Sequence, residues 1–578
     1  MNLTCLPARL LAVSSALLLT ACATSPVAPP TTSRPTAPKY ESGMVSAADP
    51  RAAEAGAEML RHGGTATDAA IATMLALTVV EPQSSGIGGG GFYVRSDPKG
   101  QVGTIDGRET APAAATPRRF LDAEGKPLPH RKAVVSGLSV GVPGNIALAA
   151  QAHEQDGKLP WAELFQPAIR LASEGYQLSE RGRAMLVRAP DSAAHDPAAR
   201  ALYFGADGQP HPVGTLIRNP ALAKTLETIA SRGPQAFYTG AMAQAVARQV
   251  ASETPQDGKM TVADLEGYEA KKRPAACGTY RIYKICGMGP PSSGETTVLA
   301  IMVALENFDL AALGPDSPVA WHLFAEAQRL AYADREVYLA DPDYVPVPTK
   351  GLTDHAYLLA RGKAISPERT MPFVKPGDPK GSQRLSFAPG RSYPELGTSH
   401  LVVIDREGRA VSYTSTIESA FGSGLFVGGF YLNNELTDFS FMPEDAGRPV
   451  ANRVEGGKRP RSSMAPTLVF GPDGKLLLAL GAAGGATIPV QVARTLIGFL
   501  DWKLPIDQAL ALPLLFSPRD TVIVEKGSQL ERMIPALEKL GHDVRAAELP
   551  LKTNAIAVVG SRLVGAADPR SEGRAIAQ

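Results

Sequence analysis

The chain has 578 residues, with 58 Lys and Arg against 57 Asp and Glu, so its formal net charge is +1. This balance provides no cationic surface for nucleic acid and no acidic tail, so no nucleic-acid partner is expected. Hydrophobic residues make up 44% and charged residues 20%, as in folded globular proteins. Four cysteines are too few for a disulfide scaffold, and no Cys/His spacing indicates a zinc site.

The first residues have the features of an export signal. A basic residue precedes a short apolar run, Leu10 to Leu19, which is followed by Thr-Ala-Cys22. The run is too short to span a membrane, and its end resembles the lipobox of bacterial lipoproteins, in which Cys22 would be lipidated. The alternative is an ordinary secretory signal that contains a cysteine. We predict a lipoprotein signal peptide at 1–22 and a Pro/Thr-rich tether at 23–40, which implies an exported, periplasmic protein anchored to a membrane by lipid.

Helices are predicted first along the rest of the chain. Residues 48–62 are Ala-rich and end at Gly63-Gly64, a helix stop. Thr67-Asp68 is the predicted cap of a second helix, which is apolar on every side and should therefore be buried all round. A glycine loop then leads to two strands joined at Pro98-Lys99-Gly100.

The remaining elements fall into blocks. Helical patterns dominate roughly residues 145–380, whereas hairpin patterns begin at 398 and have turns at 405–408 and 471–474. A helix with the sequence IPVQVARTLIGFLDW follows. Cys277 and Cys286 flank a segment that suits a short hairpin, and either a disulfide or two buried thiols would fit. Blocks of this kind favour a layered α+β or sheet-on-sheet fold over a wound parallel sheet.

Three glycine motifs match functional patterns in part. Residues 86–91 fit G-x-G-x-x-G, but a helix precedes and a strand follows them, which inverts the dinucleotide-binding order and favours a packing turn. Residues 137–141 fit the G-x-S-x-G nucleophile elbow, although Pro143-Gly144 delays the helix that should follow; a serine hydrolase is kept as an alternative. Residues 481–487 lie between a strand and a helix without the Lys of a phosphate loop, which leaves a glycine turn or an oxyanion hole.

The segment that begins at Thr398 contains the candidate nucleophile. A threonine hydroxyl is a poor nucleophile without a base, and cutting the Gly397–Thr398 bond would free an α-amine to act as that base. Thr398 opens a predicted strand, which would hold the new terminus, and Gly397 would permit the strained backbone that self-cleavage needs. From these residues alone, Thr398 is also explained as a β-former at the start of a strand.

Short motifs rich in glycine and polar residues occur along the whole chain. They are GGTATDAAIAT and EPQSSGIGGGGF (63–92), DGRETAP (106–112), GVPG (141–144), PPSSGE (290–295), LNNELTDFS (432–440), KRPRSSMAPT (458–467) and GAAGGATIP (481–489). The segment around the candidate nucleophile is Thr398-Ser399-His400, followed by VVIDREGRAVSYT. In this order the motifs resemble those of the γ-glutamyltransferases, a family of N-terminal-nucleophile hydrolases, and the segment at Thr398 resembles the processing site of that family. The resemblance covers about residues 45–570.

The resemblance implies a site that binds a zwitterion. A guanidinium and hydroxyl groups would hold the substrate α-carboxylate, and acidic side chains would hold the α-ammonium. Without the resemblance, Arg108 would be read as a surface ion pair with a neighbour such as Glu109. The matching residues are Arg108, Ser462 and Ser463 for the carboxylate and Asp438, Glu435 and Glu418 for the ammonium.

The resemblance also assigns the residues around the nucleophile, and the sequence departs from the family in places. Thr416 matches a threonine that hydrogen-bonds the nucleophile, and Gly484-Gly485 would form the oxyanion hole. Two of the ammonium-binding glutamates stand where some bacterial members have Asn and Gln, so this pocket should be more acidic. The stretch from 438 to 462 has no Tyr for a lid over the site, and Glu295 stands where Gly is usual.

The resemblance therefore implies an α+β fold, a four-layer αββα sandwich made of two subunits cut from one chain. The large subunit would span 41–397 and the small subunit 398–578, and the two would form a heterodimer. The implied activity transfers the γ-glutamyl group of glutathione and related amides to water, amino acids or peptides, with no metal or cofactor. The alternatives are a β-lactam side-chain acylase of the same fold and a non-catalytic lipoprotein that binds γ-glutamyl compounds.

Overall fold

The computed structural model describes residues 39–255, 257–383, 385–390 and 397–578. The strands in these ranges are β1 (Met44–Ala47), β2 (Gly90–Ser96), β3 (Val102–Gly107), β4 (Tyr176–Gln177), β5 (Leu216–Ile217), β6 (Lys271–Arg273), β7 (Ala276–Tyr280), β8 (Tyr283–Gly287), β9 (Gly397–Ile404), β10 (Ala410–Glu418), β11 (Phe426–Val427), β12 (Phe430–Tyr431), β13 (Glu444–Asp445), β14 (Arg448–Pro449), β15 (Thr467–Phe470), β16 (Leu476–Ala483), β17 (Leu515–Phe516), β18 (Thr521–Glu525), β19 (Asp543–Ala547), β20 (Lys552–Val559), β21 (Arg562–Ala567) and β22 (Arg574–Ala577).

The α-helices in the same ranges are α1 (Pro50–Arg61), α2 (Ala66–Val80), α3 (His130–Val134), α4 (Asn145–Asp156), α5 (Gln166–Glu174), α6 (Glu180–Arg188), α7 (Pro190–Ala193), α8 (Pro197–Tyr203), α9 (Pro220–Arg232), α10 (Gln235–Tyr238), α11 (Gly240–Ser252), α12 (Val262–Glu266), α13 (Gly294–Leu305), α14 (Leu310–Leu313), α15 (Pro318–Tyr338), α16 (Thr349–Leu352), α17 (His355–Gly362), α18 (Ile488–Leu500), α19 (Ile506–Ala511) and α20 (Gln529–Lys539). Single-turn 3-10 helices lie at Gly137–Ser139, Trp161–Phe165, Glu435–Asp438 and Gly485–Thr487.

Two antiparallel sheets form the centre of this mixed α/β molecule. The strand order is β22-β1-β9-β10-β2-β3-β6 in the first sheet and β21-β20-β16-β15-β8-β7 in the second. Each sheet combines strands from before Gly397 with strands from after it. Neither part of the chain can therefore complete a sheet alone.

The two sheets pack against each other through β9 and β10 of the first and β16 and β20 of the second. Along β9, Val402 and Ile404 join the core shared with the second sheet, whereas Leu401 and Val403 join the core formed with α1 and α2. This alternation buries β9 on both faces. The helices α13 and α18 pack on the second sheet. Thr398, at the start of β9, is thus held in the middle of the fold.

The first two predicted helices are present, and one predicted cap is wrong. Helix α1 occupies the predicted segment, and all residues of α2 are buried, which confirms both predictions. However, the N-cap of α2 is Thr65 and not Thr67-Asp68. Thr65 and Asp68 form a reciprocal capping box, in which the Thr65 N–H donates to the Asp68 carboxylate at 2.8 Å. The Thr67 hydroxyl instead contacts the Tyr93 hydroxyl at 2.7 Å inside the core.

The predicted hairpins and the block arrangement are confirmed. β2 pairs with β3, β9 with β10 and β15 with β16, each across its predicted turn, and α18 follows the last of these hairpins. The region from 145 to 380 is mainly helical. β7 and β8 form the short hairpin predicted between Cys277 and Cys286, and these two cysteines are joined by a disulfide.

The amino-terminal predictions remain predictions. The signal peptide (1–22), Cys22 and nearly all of the tether (23–40) lie outside the described residues. Among the helices that the structure describes, none is long and apolar enough to cross a membrane.

Candidate active site

Two threonine hydroxyls converge on the peptide bond between Gly397 and Thr398. The Thr398 hydroxyl donates to the Gly397 carbonyl oxygen at 2.5 Å, and the Thr416 hydroxyl donates to the same oxygen at 2.7 Å. The two hydroxyl oxygens lie 3.2 Å apart, and the Glu418 N–H donates to the Thr416 oxygen at 2.8 Å. All of these side chains are buried. The nucleophile and its helper predicted from the sequence are therefore in contact at the predicted cleavage bond.

A bulge in β10 produces this arrangement. Ser415 pairs with Ser399, but the next pair joins Glu418 to Gly397, so Thr416 and Ile417 together oppose Thr398. An extra residue of this kind turns side chains away from the regular ladder. Glu418 has a left-handed backbone, with φ of 76°. The bulge thus directs the Thr416 hydroxyl towards the Gly397 carbonyl.

Gly397 allows a close approach between β9 and the bulge of β10. It is the first residue of β9. A Cβ at this position would lie 2.7 Å from the carbonyl oxygens of both Glu418 and Ser419. Any side chain would push the bulge away from the cleavage bond. The expectation that Gly397 permits the strained backbone needed for self-cleavage stays a prediction.

Arg108 lies in a buried cluster with the predicted ammonium-binding acids. Its guanidinium forms ion pairs with Glu435 and Asp438 through separate nitrogens, and Glu109 lies farther away at 3.9 Å. It also donates to the carbonyl oxygens of Pro460 and Arg461, at 3.2 and 3.1 Å. Arg108 is 1% exposed, so the reading as a surface ion pair with Glu109 is wrong.

The cluster holds more carboxyl groups than its single guanidinium can neutralise. Burial raises the pKa of Glu109 to about 8, although nearby Arg108 lowers it. Burial also raises the pKa of Glu418 and Glu435 well above the usual value, and Asp438 raises both further. The carboxyl groups of Glu109 and Glu435 also interact with each other. This pocket is therefore suited to a ligand that brings a positive charge.

The predicted serines lie next to this cluster along the chain, and their hydroxyls make contacts inside the protein. The Ser463 hydroxyl accepts from the Arg335 guanidinium at 2.8 Å, and the Ser462 hydroxyl accepts from the Met464 N–H at 3.2 Å. Neither hydroxyl contacts the Arg108 guanidinium in the hydrogen bonds that the structure describes. The backbone of the same segment does contact Arg108, as noted above.

Gly484 and Gly485 form a left-handed turn between β16 and α18. Their φ angles are 133° and 59°, which side chains rarely adopt. Ala483, directly before them, pairs with Lys552 at the start of β20. The Lys552 ammonium in turn donates to the Thr398 carbonyl oxygen at 3.2 Å. The turn is thereby linked to the nucleophile through one side chain.

Lys552 and Glu81 are site residues that the sequence reasoning missed. Their charged groups lie 2.5 Å apart in the interior, and burial lowers the pKa of Lys552 to about 8. The Ser399 hydroxyl donates to the same Glu81 carboxylate at 2.5 Å. Glu81 opens the motif EPQSSG, but its partner lies far along the chain, so no local signal identifies the pair.

The two glycine motifs set aside above have structural roles. Ser139 of the G-x-S-x-G motif is buried in a 3-10 helix and donates to the carbonyl oxygens of Val134 and Ser136, at 2.7 and 2.9 Å. Its hydroxyl is therefore not exposed on a nucleophile elbow. In the G-x-G-x-x-G motif, a Cβ at Gly89 would lie 1.9 Å from the Thr416 carbonyl oxygen, so this loop packs directly on the active-site strand.

Comparison with known proteins identifies the family. The sequence model for gamma-glutamyltranspeptidase matches residues 52–578. The chain belongs to the gamma-glutamyltranspeptidase family. Among curated members of this family, the glutathione hydrolase proenzyme of Escherichia coli (strain K12) is 36% identical over 556 residues, which cover 92% of this chain and 91% of that protein.

Two solved structures extend the gamma-glutamyltranspeptidase comparison. The structure of cephalosporin acylase from Bacillus halodurans superposes on this chain with a TM-score of 0.81 and 26% sequence identity. The alignment covers 96% of this chain and 99% of the acylase chain. The structure of Helicobacter pylori gamma-glutamyltranspeptidase superposes on this chain with a TM-score of 0.54 and 36% sequence identity. The alignment covers 59% of this chain and 95% of the Helicobacter pylori chain. The matched range, residues 52–578, contains Arg108, Thr398 and the Gly484-Gly485 turn.

Proposed function

We propose that this chain is a self-processing γ-glutamyltransferase and glutathione hydrolase with Thr398 as its nucleophile. One observation carries the proposal: the hydroxyls of Thr398 and Thr416 both donate to the carbonyl oxygen of Gly397. Family membership and the buried acidic cluster around Arg108 support the substrate class. The substrates are glutathione and other γ-glutamyl amides, and the acceptors are water, amino acids and peptides.

Processing breaks the Gly397–Thr398 bond. The Thr398 oxygen attacks the Gly397 carbonyl carbon, and the Thr416 hydroxyl stabilises the negative charge that develops on the carbonyl oxygen. The C–N bond breaks and the hydroxyl proton is transferred to the departing nitrogen, which leaves an ester between Gly397 and Thr398. Water then hydrolyses this ester. The products are a Gly397 carboxylate, a free Thr398 hydroxyl and a free Thr398 α-amine.

Transfer uses the new terminus. The Thr398 α-amine takes the hydroxyl proton while the oxygen attacks the γ-carbonyl carbon of the substrate, and the N–H groups at Gly484 and Gly485 stabilise the oxyanion. The amine product leaves with that proton, and a γ-glutamyl–Thr398 ester remains. Water or an acceptor amine then cleaves the ester. Throughout, the residues that hold the glutamyl head group are Arg108, Ser462 and Ser463 at its carboxylate and Glu418, Glu435 and Asp438 at its ammonium.

The proposed mature form is a four-layer αββα sandwich of the N-terminal-nucleophile type, a heterodimer of subunits 41–397 and 398–578. The mixed strand order of both sheets supports it, because each subunit would supply strands to each sheet. The alignment with the Helicobacter pylori chain includes 95% of that chain but only 59% of the present chain. Partial coverage of this kind is expected if the aligned chain is one subunit of a cut precursor. Export, periplasmic location and lipidation at Cys22 are proposed from the sequence alone.

A β-lactam side-chain acylase is the second candidate, because the Bacillus halodurans acylase has a similar fold over nearly the whole chain. The acidic cluster favours the γ-glutamyl substrate. An α-ammonium would favour the ionised forms of Glu109, Glu418 and Glu435 and pair with them, whereas an acyl group without one would leave these buried carboxyls without a charged partner from the ligand.

The test is a denaturing gel of the purified protein with amino-terminal sequencing of the smaller fragment. We expect two fragments, the smaller beginning at Thr398, and release of p-nitroaniline from γ-glutamyl-p-nitroanilide. Thr398→Ala should remain a single chain without activity, whereas Thr398→Ser keeps a hydroxyl and should still be cut. An uncut wild-type chain, or a fragment that begins elsewhere, would overturn the proposal.

A further inference from the structure

Lys552 is a buried cation that reaches the cleavage bond from the second sheet. It is the first residue of β20, which packs on β9. Its ammonium donates to the Thr398 carbonyl oxygen at 3.2 Å, to the Ser399 hydroxyl at 3.4 Å and to the Glu81 carboxylate at 2.5 Å. Lys552 is 2% exposed, so salt and water screen its charge weakly. A positive charge therefore lies beside the residue that the proposed cut makes terminal.

The hydrogen bond from Lys552 holds a residue that lies beyond the end of β1. The pairing of β1 with β9 runs from Leu401 to Ile404, and Thr398 comes before it in β9. Cutting the chain would remove the covalent tie of Thr398 to Gly397. The Lys552 ammonium would then still hold the Thr398 carbonyl oxygen in its place.

The cations around this point outnumber the carboxylate that they share. Glu81, at the end of α2, binds Lys552 and also lies 3.6 Å from the guanidinium of Arg181 on α6. Asp49 also acts on the Lys552 charge, but its carboxylate is bound to Arg51 at 2.5 Å. A net positive charge therefore faces the new terminus.

Two further acids lie on the other side of the bond. Burial raises the pKa of Glu418, on β10, well above the usual value, so this side chain is neutral in the free enzyme. In the substrate complex, the ammonium of the ligand would pair with it. The Gly397 carboxylate that the cut produces is the same in every variant compared below.

A nearby positive charge disfavours the protonated form of an amine. An ordinary α-amine has a pKa of about 7.7–8.0 and is mainly protonated at neutral pH, which prevents it from acting as a base. Burial lowers the pKa of Lys552 to about 8, so its ammonium remains charged over the pH range in which the α-amine must lose its proton.

We propose that Lys552 is a positioning residue, which holds the terminal Thr398 by its carbonyl oxygen and keeps the Thr398 α-amine neutral and able to accept the hydroxyl proton. Glu81 fixes the Lys552 ammonium in this place through their ion pair. The inference rests on the proposed function, because it concerns the amine that self-cleavage frees.

The first experiment measures the Thr398 α-amine of the wild type in two ways, from about pH 5 to about pH 9. One is kcat for γ-glutamyl-p-nitroanilide at saturating substrate, whose acid limb reports the base in the complex. The other is brief treatment with acetic anhydride, which acetylates the terminus only when its amine is neutral; mass spectrometry of the amino-terminal peptide of the smaller fragment follows it. Both midpoints should lie below about pH 7.7, the lower end of the usual α-amine range. A midpoint at or above that value would overturn the inference.

The second experiment changes the charge beside the terminus. Lys552→Met should move the acid limb of kcat and the labelling midpoint up by about one pH unit, which is about a tenfold loss of the neutral amine at low pH. KM should change little, because Lys552 lies outside the cluster around Arg108. Lys552→Arg keeps the charge and should keep the wild-type midpoint.

A double variant separates charge from packing. Glu81→Gln added to Lys552→Met should reverse part of the shift, because it removes the carboxylate that the single change leaves facing the terminus. A purely structural role for the pair would not produce this reversal.

Lys475→Met is the matched control. The Lys475 ammonium also pairs with an acid, Asp473 at 3.1 Å, but both side chains are exposed; its acid limb should match that of the wild type. An acid limb that does not move in Lys552→Met, in a cut and active chain, would overturn the inference alone. If that variant is not cut, the wild-type midpoint decides. A wild-type chain that stays uncut or does not hydrolyse the anilide would overturn the proposed function, and this inference with it.

Discussion

At the scale of single residues, Arg108 organises the proposed head-group pocket. Its guanidinium separates the carboxylates of Glu435 and Asp438 and also holds two backbone carbonyls. A planar group with five donors can satisfy all four partners, whereas an ammonium is a point charge with three. The shape of this side chain therefore matters as much as its charge.

Arg108→Lys should raise KM for γ-glutamyl-p-nitroanilide by about 10- to 100-fold, because one charge-assisted hydrogen bond is lost, at about 1.5–3 kcal/mol. Steady-state kinetics of the purified variant measure this change. Self-cleavage should continue, because Arg108 does not contact the Gly397–Thr398 bond, and the two fragments on a gel show that the variant folds. An unchanged KM would contradict the role assigned to Arg108.

At the scale of elements, local signals could be predicted and distant pairings could not. The hairpins β9–β10 and β15–β16 were predictable because the residues that form each turn and its two strands are close together in the sequence. The cap of α2 was misplaced because Thr65 and Thr67 are equally good caps, and the core contact of Thr67 decides between them. The bulge in β10 has no sequence signal, since it depends on a register between two strands.

The beginning of α13 explains a residue that the sequence left without a role. Glu295 is buried there, accepts a hydrogen bond from the Thr467 hydroxyl at 2.9 Å, and would lie 2.2 Å from a Cβ at Gly287. Burial raises its pKa to about 8. The folded chain therefore keeps this proton between about pH 4.3, the usual Glu value, and pH 8, whereas the unfolded chain releases it.

The free energy of unfolding should therefore fall as the pH rises across this window, by at most about 1.4 kcal/mol per pH unit from Glu295, and this contribution should be constant above it. Glu295→Gln should show a shallower decline of the thermal midpoint from about pH 5 to about pH 8. Both chains should carry Thr398→Ala, so that each is a single uncut polypeptide. Parallel pH profiles for the two would show that Glu295 does not titrate in this way.

At the scale of the whole molecule, the site is assembled from distant parts of the chain. Arg108 meets Asp438, and Glu81 meets Lys552, only in the folded state. The family resemblance predicted that Arg108 and Asp438 act at one site, because they match motifs with assigned roles. It did not identify Glu81 and Lys552, whose pairing depends on how α2 and β20 are placed by the sheets.

The two proposed subunits should remain together after cleavage, because both sheets contain strands of each. In size-exclusion chromatography without denaturant, both fragments should elute in one peak, at the volume of uncut Thr398→Ala. They should separate in about 6 M guanidinium, which unfolds most globular proteins. Separate peaks in native buffer would contradict the shared sheets.

The position of β9 has a consequence for the timing of activation. β9 pairs with β1 on one side and with β10 on the other, and the bulge in β10 brings the Thr416 hydroxyl to the cleavage bond. The pairing with β10 is made within one hairpin, whereas the pairing with β1 forms only when the amino-terminal part of the chain has reached β9. A chain in which β1 has not yet docked would hold β9 on one side only. The proposed self-cleavage should therefore be most efficient once this long-range pairing is complete.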